Sequence, residues 1–435
     1  MYNKGIGGDF MLKKMLVVGM LLTTFTAYSS QAEATKSFGT YENVSLNKKW
    51  TITLNKDNLD FRNIEIQLFN EANENVAFTA QVEGKQLIIQ PTNLYELDHT
   101  YALHLQNKGE KSKQVLKSPQ VITFTTTADE SALKVYERMD DIQLKWQALK
   151  PRYEGEMNQV KPSTTAPYAL GSVTDGALQD ALNTTNFIRY VADLPAVKLQ
   201  DEFNREAQGA SVVNAANGQL SHYPVAPANM DEQLFELGNN GAKKSNLGVG
   251  YPSISYSIQH GYMEDGDPSN IDRVGHRLWI LSPKLQHVGF GYAAGFTAMK
   301  VIEEDMSRRE IDYDAITWPA KDATPTQFFT SEFPWSISLN PELYDETALE
   351  DITVTLTNKS ANKTWNFSST KQSDGYFNIS TSNYGYLPFT IIFRPEEKPE
   401  FKDGDFYQIK IEGLRTTSGK PTVFSYDTTF FDLQD

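Results

Sequence analysis

Apolar and polar residues alternate strictly over several short runs near the start of the chain. Trp50, Ile52 and Leu54 alternate with Thr51 and Thr53, and Ile64, Ile66 and Leu68 alternate with Glu65 and Gln67. Tyr101, Leu103 and Leu105, then Ile122 and Phe124, keep the same period of two. At that period, alternate side chains share one face of a strand. Polar clusters at 70–75 and 107–112 punctuate the runs as turns. Residues 35–128 are therefore expected to form a small β-sandwich.

The period then changes. Val135, Met139, Ile142, Trp146 and Leu149 fall at i, i+4, i+7, i+11 and i+14, one face of a helix that Pro151 ends. With the proline- and hydroxyl-rich stretch 161–172, residues 129–172 read as a helix and a linker. Leu178 and Leu182 begin a second helix. Phe203, Ala207, Ala210 and Asn214 share a face of a third, which Gly218 terminates. From 326 to 435 alternation returns, and a second sandwich is expected.

The two β regions echo each other. Trp335, Ile337 and Leu339 repeat the pattern of Trp50, Ile52 and Leu54. Ile391, Ile392, Phe393 and Pro395 repeat Leu87, Ile88, Ile89 and Pro91. Tyr407, Ile409 and Ile411 repeat Tyr101, Leu103 and Leu105, and the step from Tyr407 to Phe430 equals that from Tyr101 to Phe124. The longer distance from Trp335 to Pro395 requires an insertion in the second copy. Trp50 with its alternating run, and Phe124 followed by Thr125, Thr126 and Thr127, resemble the bacterial Ig-like domains of S-layer and other surface proteins.

Between these regions lie two segments of a different kind. The first runs from Asn186 and Arg189 through Leu194-Pro195 and Ala207-Gln208 to Ser221-His222. The second is Gly275-His276-Arg277, with Ile280, Leu281 and Pro283, then Val288-Gly289-Phe290-Gly291. In this order they resemble the CAP superfamily of cysteine-rich secretory, antigen 5 and pathogenesis-related proteins (SCP-like), in its bacterial form. The resemblance implies an α-β-α sandwich over 173–325, so the fold class expected for the whole chain is α+β. It also implies that His222 and His276 meet in a cleft, often with two acids, and hold a divalent metal such as Zn. Ser245, before Asn246 and Leu247, stands where the family carries its first acid, and Glu264 occupies the region of the second. Replacing one carboxylate by a hydroxyl makes any metal on His222 and His276 a weak one. Arg277 is expected to fix its segment by pairing with a buried acid.

Composition narrows the context. Lys13 and Lys14, the apolar run 15–26 and the small residues at Ala32 and Ala34 make a signal-peptide layout, with residues 1–34 removed on export. The chain has no cysteine, which excludes disulfides, thiolate metal sites and a cysteine nucleophile, and fits secretion from a Gram-positive bacterium. A formal net charge of −15 without a basic cluster excludes nucleic acid as a partner. No later stretch is long and apolar enough for a transmembrane segment. The expected product is a secreted or cell-surface protein whose cleft binds an extracellular ligand without catalysis, with association with the cell wall as one route to retention. A peptidase-like hydrolase using the two histidines and a lipid or sterol binder are the alternatives. No nucleophile elbow, H-E-x-x-H segment or phosphate loop is present, and 265–272 does not match a calcium-binding hand.

Overall fold

The computed structural model describes residues 36–53, 63–108, 115–149, 152–304, 312–347 and 349–434. The expected signal segment and its Ala32 and Ala34 lie outside the described residues, as do Leu54 and Pro151. Helices and strands mix, so the chain is α+β. It divides into two compact units, Met1–Lys134 and Val135–Asp435. Among the described residues no helix is long and apolar enough to cross a membrane.

The first unit contains β1 (Lys36–Val44), β2 (Trp50–Thr53), β3 (Ile64–Asn70), β4 (Phe78–Glu83), β5 (Gln86–Pro91), β6 (Thr100–Asn107) and β7 (Gln120–Thr126). They form two sheets, ordered β1-β7-β6-β3 and β2-β5-β4. Trp50, Ile52, Leu87 and Ile89 from one sheet join Leu68, Tyr101, Leu103 and Phe124 from the other in a single hydrophobic cluster. The Trp50 and Phe124 rings meet across it at 5.0 Å. Burial alternates along β6, as the sequence pattern requires.

Helix α1 (Ser131–Gln147) buries Tyr136, Met139 and Ile142. Trp146, on the predicted face, packs its ring on Phe187 at 5.1 Å. The stretch expected to be a linker is instead a closed excursion. β8 (Asn158–Val160) pairs antiparallel with β9 (Ser172–Val173), and Ser163 bridges Ala169 between them. Proline content suggested a tether, but prolines also occupy tight turns between short paired strands.

The middle of the second unit runs α2 (Asp175–Val191), β10 (Lys198–Leu199), α3 (Asp201–Asn217), α4 (Glu232–Lys243), β11 (Ser245–Val249), α5 (Ile254–Ser257), α6 (Gly275–Ile280), β12 (His287–Ala293) and β13 (Phe296–Lys300). The sheet order is β10-β12-β13-β11. Thr174 caps α2 through Ala177 N–H, and Gly218 closes α3 in the left-handed conformation. The glycines of β12 have a packing reason. A Cβ on Gly289 would lie 2.1 Å from the Phe203 carbonyl carbon, and one on Gly291 2.2 Å from the Ala207 oxygen. Only glycine lets α3 lie that close to the strand.

The remaining strands are β14 (Ala315–Trp318), β15 (Asp322–Pro325), β16 (Trp335–Leu339), β17 (Thr353–Asn358), β18 (Lys363–Ser368), β19 (Gly375–Ser380), β20 (Thr390–Pro395), β21 (Phe406–Arg415) and β22 (Pro421–Phe431). Their sheets are β14-β16-β20-β19 and β15-β22-β21-β17-β18. The expected boundary after residue 325 falls too late, because β14 already pairs with β16 and β15 with β22. Pro325 among polar residues, without periodicity, makes 320–328 read as a connection. Pro325 ends its strand and Pro319 follows one, positions that strands tolerate.

Strand pairing extends the internal echo. β1 runs parallel to β7, and β15 runs parallel to β22. The order β2-β5-β4 recurs as β16-β20-β19. Trp50 faces Ile89 and Ile52 faces Leu87, as Trp335 faces Phe393 and Ile337 faces Ile391. β18 fills the place of the expected insertion. One echo fails in register: Tyr101 faces Phe124, but Tyr407 faces Thr428. A two-residue slip keeps the same side chains on the inner face, so the alternating pattern could not reveal it.

Candidate functional site

The best-organised polar cluster surrounds α6. Asp265 precedes this short helix, and its side chain is almost fully buried, at 1 % exposure. One carboxylate oxygen lies 2.7 Å from His276 Nδ1, and the other accepts the Arg277 N–H at 3.0 Å. Asp265 thus caps the first turn of α6 from the start of the loop that leads into the helix, where the helix dipole favours a negative charge. The His276 side chain is about one-fifth open, 21 %. Its carbonyl accepts a hydrogen bond from Asn246 Nδ2 at 2.9 Å. The Tyr262 ring lies 5.7 Å from the imidazole, and the Tyr262 hydroxyl is hydrogen-bonded to Thr297 Oγ1 at 2.9 Å.

Arg277 is fully buried. The guanidinium donates to the carbonyls of Met263, Glu264 and Pro334 and to Ser336 Oγ, over 2.6–3.0 Å. The expectation that Arg277 fixes its segment holds in a different form. Backbone carbonyls hold the guanidinium, while the acid holds the arginine's own N–H. Burial lowers its pKa, against the opposing charges of Asp265 and Glu264.

His222 follows α3. Its Nδ1 lies 2.8 Å from the Ala242 carbonyl at the end of α4. His222 by its ring nitrogen and His276 by its backbone carbonyl are therefore bonded to one short stretch, at Ala242 and Asn246. A carbonyl and a carboxylate can only accept, so each Nδ1 carries the hydrogen in these bonds. Neither Nε2 has a hydrogen-bond partner among the described residues.

The expected acid is corrected. Asp265, not its neighbour Glu264, binds His276. Glu264 offers its backbone carbonyl to Arg277, and burial followed by the Glu332 charge raises its carboxyl pKa. Two adjacent acids cannot be told apart by composition, and the turn that selects Asp265 is set by its left-handed φ of 46°. Ser245 lies buried on β11 beside Lys300, its Oγ without a hydrogen-bond partner among the described residues. Burial pulls the His276 pKa down, but the charge and hydrogen bond of Asp265 outweigh it, so the net shift is upward.

Among the described residues no group of three or more His, Cys, Asp or Glu side chains could hold a metal ion. The donor chemistry agrees. Asp265 is committed to His276 and Arg277, and Ser245 is a neutral hydroxyl in a buried position. The set does not fit the metal expected on His222 and His276. In the 265–272 loop, Asp267 accepts from Ser269 N–H at 2.9 Å and Asn270 Nδ2 at 2.8 Å, an ordinary turn. His287 pairs with Glu303 at 3.0 Å, and the His260 ring lies tilted against Tyr256, 4.2 Å between centroids.

No family model and no curated protein matches the chain. Among solved structures, it is similar to a crystal structure of an extracellular protein containing a SCP domain from Bacillus anthracis. That similarity is 15% identity with a TM-score of 0.24, covering 53% of this chain and 68% of the other.

Proposed function

We propose that this is an exported, cell-surface or secreted protein whose CAP-type central domain binds an extracellular ligand without catalysis, flanked by Ig-like β-sandwiches. One observation carries the reading. The partly open His276 has Nδ1 held by the buried Asp265 and keeps Nε2 for a further partner. An imidazole oriented in this way is prepared to bind through that nitrogen. The attachment of His222 and His276 to one short stretch of chain supports a shared cleft.

A second reading is a peptidase-like hydrolase. The carboxylate–imidazole pair has the form of a base with its orienting acid. Binding is preferred because, among the described residues, no hydroxyl is hydrogen-bonded to either Nε2. Sedimentation with insoluble Gram-positive cell wall tests both. The wild type should co-sediment, and His276→Ala and His222→Ala should each weaken that binding. Failure of the wild type to sediment would remove the wall-associated ligand. Casein cleavage lost in His276→Ala would establish the hydrolase instead. N-terminal sequencing of secreted protein should begin after Ala34; a retained Lys13 would overturn export.

A further inference from the structure

We infer that the C-terminal sheets are part of the His276 site: Arg277, Arg394 and Asn378 act as positioning residues that hold the Asp265–His276 pair in register. The loop 265–274 supplies both the acid and the entry to α6. It is bracketed by two non-glycine residues in the left-handed region, Asp265 (φ 46°) and Val274 (φ 44°). A β-branched residue there is an outlier that persists only where its surroundings over-determine it. Val274 is fully buried.

Contacts from the C-terminal strands pin this loop along its length. Arg394 on β20 donates to the Gly266 carbonyl at 3.2 Å and to the Glu332 carbonyl at 2.6 Å. Asn378 on β19 donates to the Asp272 carbonyl at 2.6 Å. The Arg277 guanidinium joins Met263 and Glu264, just before the loop, to Pro334 and Ser336 at the start of β16. Behind α6, a Cβ on Gly275 would lie 3.1 Å from the Tyr384 ring, and one on Gly385 would lie 2.1 Å from the Leu278 oxygen. The helix carrying His276 and the loop carrying Asp265 are thus fastened to a common β framework. The first β copy has Gln90 where the second has Arg394, so the clamp is a feature of the second copy.

These strands are therefore more than a spacer. If the clamp loosens, Asp265 moves away from Nδ1 and the imidazole loses its preferred tautomer. The inference takes His276 as the functional imidazole but uses no ligand, so it can stand if the wall-binding reading fails.

Nitrogen-resolved NMR of the full chain with labelled histidines tests it. The wild type should show His276 as a single tautomer with hydrogen on Nδ1 at a pH where it is neutral. Arg394→Ala combined with Asn378→Ala should replace that pattern with an average of both tautomers, while His222 keeps its own. Arg394→Lys, which retains one donor, should return the pattern part of the way in the Asn378→Ala background. Lys363→Ala, at an exposed pair with Glu397 on the same sheets, should leave His276 unchanged. A single His276 tautomer in the folded double variant would overturn the inference, as would an equal change in Lys363→Ala. If the double variant does not fold, Arg394→Ala alone is read against the same two outcomes.

Discussion

Asp265 is the residue on which the most chemistry converges. Asp265→Asn would keep the shape and remove the charge that raises the His276 pKa. Burial would then dominate, and the imidazole should titrate below its ordinary 6.5. The linkage has a definite sign. A folded-state pKa above the unfolded value adds stability that is full below pH 6.5 and is lost as pH rises through the folded value. The wild type should therefore lose more stability than Asp265→Asn between pH 6 and pH 8. Denaturant titrations at both pH values, with NMR titration of His276, check this; parallel stability curves would refute it. At pH 6 the substitution should cost about 1.5–3 kcal/mol, the range for a hydrogen bond to a charged group. Arg277→Met should cost more, about 3–5 kcal/mol, because it strands several buried carbonyls, each costing about 1–3 kcal/mol when left unpaired. Urea unfolding measures this.

At the scale of elements, α3 and β12 depend on glycine where side chains would collide. Gly291→Ala drives a methyl against the Ala207 carbonyl and should cost about 1–3 kcal/mol by overpacking. Gly404, in the left-handed region with nothing within 4 Å of a Cβ, has only the conformational term. Gly404→Ala should cost about 1–2 kcal/mol, typical of a left-handed non-glycine residue. Thermal melts of the two variants separate packing from strain, since only Gly291→Ala should also loosen amide protection in α3. The strands themselves were legible because alternation is local. Their register was less so, as the two-residue offset between Tyr101 and Tyr407 shows.

Across the whole molecule, the stretch 320–328 reads as a tether by composition and behaves as core. Ala320, Ala323, Thr324 and Phe328 are all at most 1 % exposed. Limited proteolysis should spare 320–328 and cut first in the exposed turn 165–167, with fragment masses identifying the sites. Early cleavage at 320–328 would show that the C-terminal strands separate from the α6 segment. Periodicity by itself determined the β character of both ends, the helix α1 and the place of the internal echo. The two short motifs around His222 and His276 marked the histidines. Tertiary structure alone decided that Asp265 rather than Glu264 meets His276, that Arg277 is held by carbonyls of two regions, and that 315–325 belongs to the last sheets. The physical reason is range. Periods of 2 and 3.6 are properties of neighbouring residues, whereas the choice between adjacent acids depends on a left-handed turn held in place by contacts 57 and 106 residues apart in sequence, Arg277 with Pro334 and Asn378 with Asp272.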